Sequence, residues 1–455
     1  MLNFNSEETR SSINKFEQML KTNQVYFFDA QEFEDIVVHY MGLGDNQLAK
    51  KALKMGLKQH PSNLELMLLQ SEVFILDEKF DFALDLLNYI EKLVPQNEEI
   101  ALQKATIASK KGDHKASIEL LHLALERSED PIEIWNLLGM EHLLAEEYEQ
   151  AKYFFKNCLL DNLEDYPSLY NLLYCYDQLN EDEEAIQSLN LVLEYDPYCE
   201  VAWHQLGKIL NKIGKTKEAI SAYDFAIICD DSFAGAYIEK GKILEGIGRI
   251  NEAIENYEIA LSTSEPSAFI YHRIGRCHGQ LGNLNLAQLF YQKSVKLEPS
   301  NENSWESLID HLMDQRKYSA TLICLKNALE ANGDSKILWI KKAELHEHLT
   351  QKQRAIDAYQ KVIDLGYYEL PILLKQIDLY LLLENFQKAY EISKSAFELL
   401  PESNELKYRI GGCAFYLKNE IEGIYFLDPQ TISRTEAYAL LQLFPKLEKI
   451  LKPRV

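Results

Sequence analysis

Residues 200–229 read EVAWHQLGKILNKIGKTKEAISAYDFAIIC. Two amphipathic runs, Ala202 to Lys212 and Lys217 to Cys229, flank the turn Ile213-Gly214-Lys215-Thr216, so the stretch predicts a helical hairpin. Gly207 and Ala219 mark where the two helices cross, because only tiny side chains let helix backbones approach closely. Larger residues fill the space around that crossing.

The same hairpin recurs on either side with a period of 34 residues. The clearest marker is the alanine, at Ala49, Ala83, Ala116, Ala151, Ala185, Ala219, Ala253, Ala287, Ala355 and Ala389, with Thr321 and Gly423 in the two remaining slots. Units start near 30, 64, 97, 132, 166, 200, 234, 268, 302, 336, 370 and 404. Ahead of the alanine comes an aromatic slot, holding Phe33, Trp135, Trp203, Tyr237, Tyr271, Trp305 and Trp339, which takes in every tryptophan of the chain. Between the two lies a small residue, as at Ser71, Gly139, Gly207, Gly241, Gly275, Ala343 and Gly411. Pro61, Pro95, Pro197, Pro299 and Pro401 follow the second helix, which a proline cannot continue.

Trp203, Leu206, Gly207, Leu210, Ala219, Tyr223 and Ala226 are the best copy of a pattern that resembles the tetratricopeptide repeat, and the likeness covers about residues 30–437. It implies an all-α chain: a right-handed superhelical solenoid of about twelve hairpins whose first helices line a concave groove. Departures fall in the ninth unit, where Ile309 and Thr321 replace the small pair, and in the twelfth, where Asp428-Pro429 truncates the second helix. An array of this kind needs polar caps at its ends. Residues 6–21, with Ile13, Phe16, Met19 and Leu20, predict a capping helix within an N-terminal segment 1–29, and residues 431–444 a second one within a C-terminal segment 431–455. No Gly, Ser or Pro linker interrupts the sequence, so one continuous array is expected.

Composition bounds what such an array does. A net charge of −24 and 47% apolar residues describe a chain able to bury a core and without general affinity for nucleic acid or anionic lipid. The longest greasy stretch, Leu66 to Leu76, is broken by Gln70, Ser71 and Glu72, and the N-terminus lacks the pattern of a secretory signal; no membrane insertion and a cytoplasmic location are expected. Seven cysteines without a C-x-x-C spacing suit a reducing compartment and argue against structural zinc.

The resemblance implies groove-facing positions in each first helix. In the first four units these give Val38, Met41, Leu68, Ile75, Ala101, Ala105, Ala108, Met140 and Leu143, an apolar trough that either receives an amphipathic partner helix or joins the core. In the fifth to eighth they give Tyr170, Tyr174, His204, Lys208, Asn211, Lys242, His272 and Arg276, a basic zone inside an acidic molecule. Glu306, Asp310, Asp314, Glu344 and Glu347 follow as an acidic zone. Proteins of this family hold peptide termini with Lys and Asn at such positions, so the basic zone is a candidate site for a carboxylate or an acidic peptide, set against the alternative of ordinary solvated side chains. The two-carboxylate clamp of co-chaperone members is not reproduced.

Catalytic look-alikes fail on spacing. The glycines of Gly207 to Gly214-Lys215-Thr216 are too far apart for a phosphate loop, and no strand precedes them. His346-Glu347-His348 does not put two imidazoles on one helical face, and His272 and His278 flank Cys277 from diverging directions. Scattered cysteines in helix slots read as small apolar residues. The expectation is a non-catalytic scaffold or adaptor with no cofactor, binding a protein or peptide in its groove. The alternative is a structural or regulatory subunit of a larger complex, docking through its convex face or termini.

Overall fold

The computed structural model describes residues 7–22, 26–427, 432 and 434–448. Among the described residues there are 26 α-helices and no strand. Contacts divide the chain into two compact units, 1–213 and 214–455.

The first unit opens with helix Glu7–Thr22, whose Phe16 and Met19 are buried with Phe28, Phe33 and Tyr40. Thr431 and Ser6, the expected starts of the two terminal helices, lie outside the described residues, as do Asp428 and Pro429. Five antiparallel hairpins follow, and helix Glu200–Lys212 ends the unit. The second unit begins with helix Thr216–Cys229, runs through six hairpins, and closes with helix Arg434–Leu443, after which the Phe444 ring covers Gly412. No described helix is long and apolar enough to cross a membrane.

Local chemistry starts and stops the helices. Asp45, Asn63, Asp113, Asp165, Asn301 and Ser403 each accept a backbone N–H from the first turn, satisfying a donor the helix leaves orphaned. Between the helices of every unit one residue takes a positive φ: Gly44, Glu78, Gly112, Glu146, Asn180, Gly214, Gly248, Gly282, Arg316, Thr350, Glu384 and Lys418. These positions keep the 34-residue spacing throughout, glycine or not. At eleven of these twelve turns the next residue donates its N–H to the carbonyl five back, as Asp45 does to Tyr40 (2.9 Å) and Asn419 to Ala414 (2.9 Å). This closure ends the first helix and aims the chain into the second.

The small residues do what the pattern requires. Ala151, Ala219 and Ala287 are fully buried. The glycine of the first helix makes room for the aromatic ring four residues beyond the alanine: a Cβ at Gly139, Gly241 or Gly275 would stand 2.7–2.8 Å from Phe155, Tyr257 or Tyr291. The third unit corrects the reading by one residue. Ser117, not Ala116, occupies the alanine slot, buried and donating from Oγ to Ala105 O (3.0 Å), while Ala116 is half-buried. A serine is nearly as small as alanine and pairs its hydroxyl locally, so the neighbouring alanine misled the register. In the ninth hairpin Ile309 and Thr321 are both fully buried, the threonine hydroxyl donating to Lys317 O (3.1 Å).

The tryptophan slot also gains a reason. Trp203, Trp305 and Trp339 each donate Nε1–H to the carbonyl six residues earlier, at Pro197 (2.9 Å), Pro299 (2.8 Å) and Gly333 (2.8 Å). The indole thereby fastens the loop that enters its own helix.

Candidate functional site

In the first unit, helices Tyr166–Leu179 and Glu200–Lys212 lie side by side and enclose a recess of about 450 Å³. Asp165 caps the first of these helices, and Pro167 sits in its first turn, where a missing N–H costs nothing. Tyr170 and Tyr174, one turn apart, project into the recess with 45% and 48% of their surface exposed. The Tyr174 ring rests edge-on against Tyr148, with centroids 6.2 Å apart, which fixes its direction. Lys208 and Lys212 line the opposite wall. Lys212 is committed: its Nζ lies 2.6 Å from Asp177 and 2.8 Å from Asp182, and bonds to both raise its pKa. Lys208 is exposed and makes no ion pair among the described residues. Asn211 is exposed on the same helix and His204 is half-buried. Two phenols and one available ammonium can stack on and pair with an extended acidic segment.

The basic positions of the second unit are spent internally. Lys242 pairs with Glu239 at 2.8 Å. Arg276 pairs with Glu245, Nη2 to Oε1 at 2.5 Å, and Arg273 holds the other carboxylate oxygen at 2.7 Å. Tyr257 donates its hydroxyl to Glu245 Oε2 (3.1 Å). Glu245 occupies a groove-facing slot by register and is almost fully buried, so this carboxylate is what the cations answer. His272 bonds to Ser307 Oγ (2.8 Å), and burial, reinforced by Arg276 and Arg273, holds its imidazole below the ordinary value. The sequence reading listed the cations and passed over Glu245; its position in the same register was the available signal.

The acidic zone is bridged as well: Lys341 reaches Asp310 at 2.7 Å and Glu306 at 3.8 Å, and Tyr359 donates to Glu347 (2.6 Å). Of the apolar trough, Leu68 and Ile75 are buried in a core with Leu87, Ile90 and Ile100. Ala101 and Ala105 are buried too, displaced from the groove by the one-residue register shift in that unit. Val38, Met41 and Leu143 are half-buried, and Met140 is 36% exposed. The trough therefore closes over in its middle because its aliphatic side chains pack between hairpins.

Five of the seven thiols are poor nucleophiles. Burial pushes Cys158 and Cys175 up to about 11 and Cys277, Cys324 and Cys413 up to about 12, far from a reactive thiolate. His346 is buried with Nδ1 on Gln351 Oε1 (3.0 Å), whereas His348 stacks on Tyr318 with centroids 6.0 Å apart.

Against known proteins, a family model described as tetratricopeptide repeat matches residues 166–199, 201–227, 234–265 and 270–301. No curated protein matches the chain by sequence. Among solved structures, YrrB, described as a TPR protein with an unusual peptide-binding site, is 18% identical with a TM-score of 0.34; the match covers 40% of this chain and 93% of that one. The APC/C hetero-tetramer Cut9-Hcn1 is 13% identical, covering 90% of this chain and 93% of that chain, with a TM-score of 0.35. A tetratricopeptide repeat protein from Parabacteroides merdae is 16% identical over 55% of this chain and 98% of that chain, with a TM-score of 0.34.

Proposed function

We propose that this chain, which carries tetratricopeptide repeats, is a non-catalytic scaffold that binds a segment of another protein in the recess lined by Tyr170, Tyr174 and Lys208. The single observation that carries the reading is the pairing of two half-exposed phenols with a lysine that has no carboxylate of its own in a molecule of net charge −24. Such a surface favours a segment with an acidic side chain or a terminal carboxylate beside an apolar one. Lys242 and Arg276 contribute through Glu239 and Glu245 to the rigidity of their own hairpins rather than to the partner.

The test is a Tyr170→Ser, Lys208→Glu double variant compared with the unaltered chain in a native pull-down read by mass spectrometry. Both side chains are exposed, so folding is retained. At least tenfold lower recovery of the main partner is expected, and unchanged recovery rejects the recess as the site.

A second reading, membership of a larger complex through the C-terminal end, is favoured by Ile421, Ile424 and Tyr425. These are 86%, 59% and 78% exposed on the short helix Glu420–Phe426, where a terminal hairpin would ordinarily be polar. Under this reading Ile421→Ser with Tyr425→Ser abolishes co-purification and the recess variant leaves it intact.

A further inference from the structure

In the second unit, helices Tyr318–Ala331 and Lys352–Asp364 stand apart over helix Lys336–His348 and leave a hollow of about 720 Å³, larger than the recess already described. Its floor is Trp339, Lys342 and His346, a stripe of one helix at i, i+3 and i+7. That stripe differs from the one carrying Glu344 and Glu347, so the hollow opens away from the groove-facing positions. One wall is aliphatic, with Leu322 exposed and Leu329 half-buried over the core residue Leu325. The other carries Arg354 and Lys361.

The charge balance of this hollow runs against the molecule's. Four cations, Lys326, Lys342, Arg354 and Lys361, face two carboxylates, Glu330 and Asp357, in a chain whose net charge is −24. Glu330 is taken by Lys326, and Asp357 accepts from Gln353 (3.0 Å). Arg354 reaches only the neutral amide of Gln351, and neither it, Lys342 nor Lys361 forms an ion pair among the described residues. The Lys342 ammonium lies 4.4 Å from the centroid of the Trp339 ring, half-buried with no carboxylate beside it, and this desolvation lowers its pKa. An ammonium desolvated on an indole and left without a counter-charge gains by pairing with an incoming anion.

We infer that this hollow is a second protein-docking site, fitted to an acidic amphipathic segment of a partner protein. Leucine-like side chains of that segment lie against Leu322 and Leu329, and its carboxylates meet Lys342 and Lys361. The occupant follows from charge complementarity: an apolar wall alone would take any greasy helix, whereas three cations without ion-pair partners select one with carboxylates on its flank. A segment meeting both walls reads two adjacent hairpins at once.

The probe is a fluorescein-labelled peptide of Leu-Leu-Glu-Glu repeats, with a Leu-Leu-Gln-Gln peptide as the uncharged control, titrated into the full chain and followed by anisotropy. The Glu peptide is expected to bind saturably and at least tenfold more tightly than the Gln peptide. Lys361→Glu, at an exposed position on the rim, weakens it at least tenfold, Lys342→Gln does the same, and Lys208→Glu leaves it unchanged. No saturable binding, equal affinity for both peptides, or indifference to Lys361→Glu overturns the inference. Loss on Lys208→Glu instead assigns the peptide to the recess of the first unit and equally overturns it.

Discussion

A methyl group added at Gly241 would stand 2.7 Å from Cε1 of Tyr257, closer than carbon atoms approach in folded proteins. The Tyr257 ring is fully buried and its hydroxyl is held by Glu245 and Arg273, so it has nowhere to move. Gly241→Val is therefore expected to cost about 2–3 kcal/mol in urea unfolding. Gly246→Ala, five residues along the same helix with nothing within 4 Å of its Cβ, is expected to be neutral or to gain up to about 1 kcal/mol. Equal losses at both positions would mean that glycine serves backbone freedom there and not the ring. These small residues were legible from sequence because each announces itself by type at a fixed offset. Ser117 was not, since a serine beside an alanine carries no such mark. Nor was the fate of Arg276 and Lys242, which depends on Glu245 and Glu239 at distances that spacing alone does not rank.

At the scale of the helix pair, the left-handed residue between first and second helices is the most regular feature of the chain, yet seven of its twelve occupants carry side chains. A non-glycine residue there costs about 1–2 kcal/mol of backbone strain, partly offset because glycine loses more freedom on folding. Gly248→Ala should thus lower stability by about 1 kcal/mol, while Glu146→Gly at the equivalent turn should raise it by up to about 1 kcal/mol. Denaturant midpoints of the two variants measure the contrast, and similar losses would count against strain as its cause. The hairpins could be drawn from sequence because every determinant of a hairpin lies inside its own repeat. The hollow above Trp339 could not, since it joins side chains from three successive helices at positions outside the expected groove register.

Across the molecule, stability is a sum of hairpins and of the faces they share with immediate neighbours, so opening starts where a hairpin is weakest. The second helix of the last hairpin spans only Glu420–Phe426 and leaves Ile421 and Tyr425 to solvent, against fourteen residues in Ile250–Thr263 and Leu284–Leu297. In native-state hydrogen exchange, amides of residues 404–427 are expected to exchange before those of 234–297, by the equivalent of about 2 kcal/mol or more in opening free energy. Uniform protection along the second unit would argue instead for one cooperative block. The unbroken beat of left-handed turns from Gly44 to Lys418 has a further consequence for how such a chain changes length. A tandem copy of residues 234–267 spliced after 267 restores the same turn and crossing at each seam, whereas a cut that is not a whole multiple of 34 residues throws everything downstream out of phase. The molecule can be lengthened or trimmed like a tape, but only at its printed graduations.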